Sequence, residues 1–325
     1  MSHARFQIIF WREAPKKTLF AQPLPLVNRY LPEIKPKIRM SRILYFFVLA
    51  PLSKLPLKTL YAMARGAFLL VYRLAAYRKK VVFSNLHNSF PDWPDSRIGL
   101  VAEKFYHHLT ELLAENIRLP AMGTAEARER LRVINPELLD PFYEQGRSVI
   151  IVIGHYNNWE WIAAMLPLWV KHRAAALYSP LSNTFFEEKQ KAARSKFGTE
   201  LVPKADAVKF FARNKDRPFA MIFAADQSPT FSKQIHWTHF LNQDTGVMLG
   251  AERFGQRYNY PVVFGHIRKL AQGRYELSFE LIEENPGTAP AGWITERHTR
   301  LLEAQILQAP EYWLWTHRRW KRKRG

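Results

Sequence analysis

The sequence contains no cysteine, which excludes disulfides, thiolate metal sites and a cysteine nucleophile. Acidic residues are scarce: 28 Asp and Glu stand against 48 Lys and Arg, a formal net charge of +20. Partners of such a chain are polyanionic: nucleic acid, an anionic membrane surface or an acidic protein. From Ile34 to Pro91 there is no Asp or Glu at all, while Lys35, Lys37, Arg39, Arg42, Lys54, Lys58, Arg65, Arg73, Arg78, Lys79 and Lys80 all fall there. That stretch is also among the most apolar of the chain and holds no nucleic-acid-binding motif, which favours a membrane surface and no nucleic acid. A clean spanning helix, which needs roughly 20 apolar residues, is missing too. Ile43 to Ser53 is broken by Lys54, Pro56 and Lys58, and Leu60 to Tyr77 carries Arg65 and Arg73. An amphipathic basic helix lying in the interface fits this composition, the alternative being a buried helix with snorkelling cations. Phosphate-binding loops, dinucleotide fingerprints, a Gly-x-Ser-x-Gly elbow and His-Glu-x-x-His are all absent, so no cofactor is implied. His236 and His239 have a zinc-like spacing without a third ligand.

What is present is core-forming material, 47% hydrophobic and 14% aromatic over 325 residues, enough for a large folded body. Ser148 to Ile153 is a β-branched run that reads as a central strand covered on both faces. Gly154 permits a turn, Asn157 and Asn158 are helix caps, and Trp159 to Val170 has helical apolar spacing. His155 thus falls at a strand's carboxyl end and Glu160 in the first turn of the next helix, the edge where open α/β sheets bind ligands. A carboxylate five residues after a histidine across such a turn can hold its tautomer and stabilise its protonated form. The alternative reading is a polar helix-capping turn. Strands at Ala174 to Tyr178, Leu201-Val202 and Phe219 to Ala225 alternate with helices at Asn183 to Phe197, Asp206 to Arg213 and Thr245 to Tyr258. A hairpin-like pair, Val262 to Arg268 and Tyr275 to Ile282, precedes a last long helix from Thr295 to Leu307. The rhythm predicts an α/β fold whose mostly parallel, partly mixed sheet is flanked by helices.

Gly154-His155-Tyr156-Asn157-Asn158-Trp159-Glu160 resembles the motif of the bacterial lipid A biosynthesis acyltransferases of the late, lauroyl/myristoyl type: His, four residues, then Asp or Glu. Asn85-Leu86, Ser89-Phe90-Pro91, Ala225 to Pro229, Phe240 to Thr245 and Pro310 to Lys321 look like the family's other landmarks, in the right order from about Met40 onward. The resemblance implies a glycerolipid-acyltransferase-like catalytic domain from residue 81 to 325, a membrane-associating helical segment from 40 to 80, and an N-terminal extension from 1 to 39. It implies transfer of an acyl chain from an acyl-carrier-protein thioester to a hydroxyl of a lipid A precursor, at the cytoplasmic face of the bacterial inner membrane. His155 is then the base, Glu160 its orienting partner, and backbone amides of the turn receive the oxyanion. Substrate contacts are expected from Asn158, Asp226, Gln227, Arg194 and Lys189.

The sequence departs from the family at Tyr178-Ser179-Pro180, where members commonly carry Arg or Lys before the proline; Lys189, Lys191 or Arg194 on the next helix are candidates to replace that charge. Trp313, Trp315 and Trp320 read as core and interface packing rather than a ligand cage, and the basic residues beside them, Arg318, Arg319, Lys321, Arg322, Lys323 and Arg324, as a solubilising tail or a membrane surface. Two rival functions fit the same residues: an acyltransferase for another bacterial membrane lipid, and a non-catalytic basic membrane-binding protein.

Overall fold

The computed structural model describes residues 36–229 and 235–324; the extension expected over residues 1–39 lies outside them except for its last four positions. The described residues form one compact unit. Its centre is a seven-stranded sheet built from β1 (Leu131–Val133), β2 (Val149–Ile153), β3 (Arg173–Tyr178), β4 (Glu200–Pro203), β5 (Phe219–Ala224), β8 (Val262–Ala271) and β9 (Arg274–Glu283), while β6 (Ile235–Phe240) and β7 (Gln243–Met248) make a separate hairpin. The sheet order is β1-β9-β8-β2-β5-β3-β4. Every pair is parallel apart from β8 and β9, so the mixed, mostly parallel sheet is as expected. All five residues of β2 are buried, as a strand covered on both faces requires.

The expected helix from Thr245 begins instead at Gly250. Residues Thr245 to Met248 belong to β7, paired antiparallel with β6 across Leu241 and Asn242, both at positive φ. That two-residue loop is the turn whose twist matches a hairpin, and the strand pairing overrides the local helical spacing. Likewise the helix after β2 ends at Met165, short of Val170. At the turn after β2 the left-handed residue is Asn157, with φ 52°, rather than Gly154. The glycine serves close packing, since a Cβ there would run into Leu302.

Between residues 40 and 80 the structure separates two parts. Helical residues 36–53, with a π-helical turn at Tyr45–Leu49, expose Met40, Ile43, Leu44, Phe46 and Phe47, the last by 78%. By contrast, Leu57, Leu60, Tyr61, Ala64 and Phe68 on the helix Leu57–Phe68 are buried in the same core as the sheet. This half of the segment is therefore part of the folded body, because its apolar stripe faces the long helix Asp95–Arg118. No helix among the described residues is long and apolar enough to cross a membrane.

Candidate active site

The parallel neighbours β2 and β5 end side by side, with Ile153 opposite Ala224, and the amide of Ala225 continues the ladder to the Ile153 carbonyl. This register delivers His155 and Asp226 to one point at the sheet's carboxyl edge. His155 Nδ1 lies 2.6 Å from Asp226 Oδ1, and the His155 backbone N–H donates to Oδ2 at 3.0 Å. A carboxylate has no proton to give, so Nδ1 is the donor and the neutral ring keeps its lone pair on Nε2. Gln227 Nε2 approaches that atom at 3.1 Å, and the Trp313 indole donates to Asp226 Oδ2 at 2.8 Å. Burial pushes the Asp226 carboxyl up; the facing His155 and the hydrogen bonds from His155 and Trp313 outweigh it and hold the group below the usual carboxylate range.

Glu160 was expected at His155 and is found elsewhere. It receives Arg194 in a bidentate pair, Nε to Oε2 and Nη2 to Oε1, each at 2.5 Å, and also accepts from the Trp159 indole at 3.3 Å. The partner on the His155 ring is Asp226, because the turn after Gly154 sends Glu160 up the next helix while β5 brings Asp226 alongside. Asn158, expected to contact substrate, is buried with both ends of its amide engaged: Oδ1 caps the helix by accepting from Trp161 N at 2.9 Å, and Nδ2 donates to Glu115 at 2.5 Å. Backbone amides of the turn were expected to receive an oxyanion, and two of them are taken, His155 N by Asp226 and Asn157 N by the Tyr312 carbonyl. Lys189 lies apart from His155, over the rings of Tyr45, Phe46 and Phe185.

Two cavities meet at the Glu160–Arg194 pair. One, about 170 Å³, is lined by His155, Trp159, Tyr178, Ser179, Lys204 and Gln227 among others. The second, about 660 Å³, is mostly apolar and lined by Tyr45, Leu49, Leu113, Ile117, Leu181 and Phe186 among others. Glu160 and Arg194 line both. Sequence reasoning missed Lys204 as a cation on the smaller cavity and Trp313 as a ligand of Asp226, and no local pattern marks either.

The other landmarks converge here. Asn85 Nδ2 donates to the carbonyls of Trp315 and His317, and Asn242 and Gln243 bond Ser89. Ser228 N donates to His317 Nε2 at 3.0 Å, and Leu314 N to the His155 carbonyl at 3.1 Å. The final segment thus locks the turn: Trp313, Trp315 and Trp320 are buried, as core packing requires, and Arg319, read as part of a solubilising tail or a membrane surface, is buried with them. A comparison with protein families matches residues 31–322 to the bacterial lipid A biosynthesis acyltransferases. The chain belongs to this family. The protein is therefore an acyltransferase, and its match starts nine residues before Met40. A comparison with curated proteins gives no match.

Buried titratable groups in this acyltransferase dictate how its stability responds to pH. Burial lowers His108, His298 and His317 from 6.5 to about 4, so an unfolded chain binds protons in that interval that the folded chain refuses. Their contribution is complete above pH 6.5 and is lost as pH falls toward 4. Glu115, raised by burial from 4.5 to about 7 against hydrogen bonds from Tyr275, Tyr61 and Asn158, acts with the opposite sign. Each fully buried group contributes up to about 1.4 kcal/mol per pH unit, and the partly exposed His317 less. Urea unfolding is expected to show stability falling by on the order of 1–3 kcal/mol from pH 7 to 5; a flat or rising profile would contradict this balance.

Proposed function

We propose that this acyltransferase moves a fatty acyl chain from an acyl-carrier-protein thioester to a hydroxyl of a lipid A precursor, with His155 as the general base. The observation that carries the reading is the Nε2 lone pair of His155, fixed by the Nδ1 bond to Asp226, at a mixed polar and apolar cavity that shares Glu160 and Arg194 with a large apolar one. An acceptor hydroxyl that displaces Gln227 gives its proton to Nε2 while its oxygen attacks the thioester carbonyl. The tetrahedral oxyanion collapses, the C–S bond breaks, and the leaving thiolate takes the proton back from the imidazolium. Asp226 holds the tautomer and stabilises the imidazolium. Glu160 uses two donors of Arg194 and so holds that cation at the junction of the cavities, where its remaining N–H groups favour the oxyanion and anionic substrate groups. Lys204 adds positive charge where Ser179 has none. The apolar cavity falls within the size range of ligand pockets and suits an acyl chain.

The exposed face around Phe46 and Phe47 adjoins Tyr45 and Leu49 at that cavity, so a chain entering from a bilayer has a short path. This supports an interfacial position on an anionic membrane, at the cytoplasmic face of the inner membrane where the donor is present. Replacing apolar rings by acidic groups in Phe46→Asp with Phe47→Asp should weaken binding to anionic vesicles at least about 30-fold, since each buried Phe contributes about 1.5–3 kcal/mol. High salt alone should not strip the unaltered protein, because screening leaves apolar burial intact. Vesicle pelleting decides, and unchanged binding of the double variant would place the contact surface elsewhere. The reaction itself is tested with purified protein, labelled acyl-carrier-protein thioester and lipid A precursor: the acceptor should gain one acyl chain. No gain on that acceptor, with a gain on another membrane lipid, would move the assignment to that lipid.

A further inference from the structure

Beside Asp226 lies a cavity of about 10 Å³ whose lining includes Asp226, His298, Thr299, Leu302 and Arg319 and does not include His155. All five are buried. Two polar atoms among these side chains have no hydrogen-bond partner, His298 Nε2 and Arg319 Nε. Arg319 is anchored at its other end, where Nη2 donates to the Gly246 carbonyl at 2.8 Å. A buried guanidinium N–H without an acceptor costs about 1–3 kcal/mol or more, and a buried cation is retained only beside a compensating charge. Asp226 supplies that charge. It opposes the burial that lowers Arg319 from 12.5 to about 10, so Arg319 remains a cation at neutral pH.

We propose that Arg319 is a positioning residue for the His155–Asp226 pair, acting on the Asp226 carboxylate through one water molecule that the cavity binds together with His298. The inference rests on the base assignment given above for His155. A cavity of this size holds a single water, and a buried water needs two to four polar partners. Here there are three. The water oxygen accepts from Arg319 Nε, one of its hydrogens goes to the Asp226 carboxylate, and the other goes to Nε2 of His298, which burial keeps neutral at pH 7. Asp226 has room for this bond: Oδ1 accepts one hydrogen bond from His155, and Oδ2 accepts one each from His155 N and Trp313. The guanidinium then does two things at a distance from substrate. It keeps Asp226 ionised while His155 is neutral, and it fixes the carboxylate plane that aligns the imidazole. The titratable and charged groups facing Asp226 are His155 after β2, His298 on the helix Trp293–Gln308, and His317 and Arg319 of the final segment; Glu296 and His236 act on His298 in turn.

The test compares Arg319→Gln, Arg319→Lys and His298→Phe with the full-length enzyme, measuring kcat, KM and the pH profile of kcat. Arg319→Gln should lower kcat at least about 30-fold with KM for both substrates within about threefold. Loss of the positive charge lets the coupled pair hold a proton more tightly, so the midpoint of the acid limb should rise by about half a pH unit or more. Arg319→Lys keeps the charge and should leave the midpoint in place while restoring most of kcat. A role confined to holding the β6–β7 hairpin predicts a lower melting temperature with an unmoved midpoint, and that result overturns the proposal. Should Arg319→Gln fail to fold, His298→Phe decides, because its ring fills the cavity and leaves the Gly246 bond intact: kcat falls at least about tenfold if the water acts, and wild-type kcat overturns it. His155→Ala is measured alongside. Turnover retained in that variant would refute the base assignment itself, whereas its loss beside wild-type kinetics of the Arg319 and His298 variants would refute only this inference.

Discussion

His155→Ala is expected to remove most turnover, by about 10²- to 10⁴-fold, the usual contribution of a general base. Asp226→Asn should cost a similar factor for a different reason. The amide presents either a donor to Nδ1, which clashes with the N–H there, or an acceptor that carries no charge to stabilise the imidazolium. Because Asp226 also accepts from His155 N and Trp313, its loss loosens the turn as well as the ring. The double variant should be little worse than His155→Ala alone, since the two residues act as a unit. Glu160→Gln is expected to behave otherwise. It weakens the hold on Arg194 without touching the imidazole, so its effect should add to that of His155→Ala in a double-mutant cycle and shrink toward nothing in an Arg194→Ala background. Turnover measured on these variants, each checked for a normal melting temperature, separates the two pairs. Coupling of Glu160 to His155, with Asp226→Asn nearly as active as wild type, would restore Glu160 as the orienting carboxylate and refute the arrangement argued here.

The largest loss of stability should come from Glu115, a fully buried residue on the helix Asp95–Arg118 that no local motif marks. Its carboxylate accepts from the Tyr61 hydroxyl at 2.8 Å, from Tyr275 at 2.8 Å and from Asn158 Nδ2 at 2.5 Å. One side chain thus ties the N-terminal helix Leu57–Phe68, strand β9 and the turn that carries His155. Glu115→Ala leaves three buried donors unpaired and a hole, at about 1–3 kcal/mol for each group before relaxation. A net loss of about 3–5 kcal/mol is expected, a large share of the 5–15 kcal/mol that holds a typical domain together. Glu115→Gln keeps the volume but turns an NH₂ toward at least one donor, so it should recover only part of this. Thermal unfolding checks the order wild type, Gln, Ala. Catalysis should fall in the folded fraction too, because Asn158 loses the partner that aims it at the helix start. A Glu115→Ala protein melting within a degree or two of wild type would show that the site collapses or hydrates cheaply, and that the three elements are held by apolar packing alone.

Much of the framework follows from local chemistry. The β-branched run before Gly154 forms a strand, Asn158 caps a helix through its own side chain, and the acid-free basic stretch marks one end of the chain as unlike the rest. Such features depend on neighbours within a few residues, and propensity, periodicity and capping act over that range. Which carboxylate meets His155 is another kind of question. Glu160 is five residues away along the chain and pairs with Arg194, whereas Asp226 is 71 residues away and reaches the imidazole because β5 lies beside β2 with Ala224 in register with Ile153. Arg319 carries the same lesson. In sequence it is one charge in a basic tail, and only the docking of that tail against the β6–β7 hairpin takes it out of water. The sequence by itself determined most of the sheet's strands, the family and the histidine at the sheet's edge; the sheet's strand order and the packing of the last segment decided that histidine's partner and the buried charge near it, because those contacts arise from long-range pairing and burial that no window of neighbouring residues encodes.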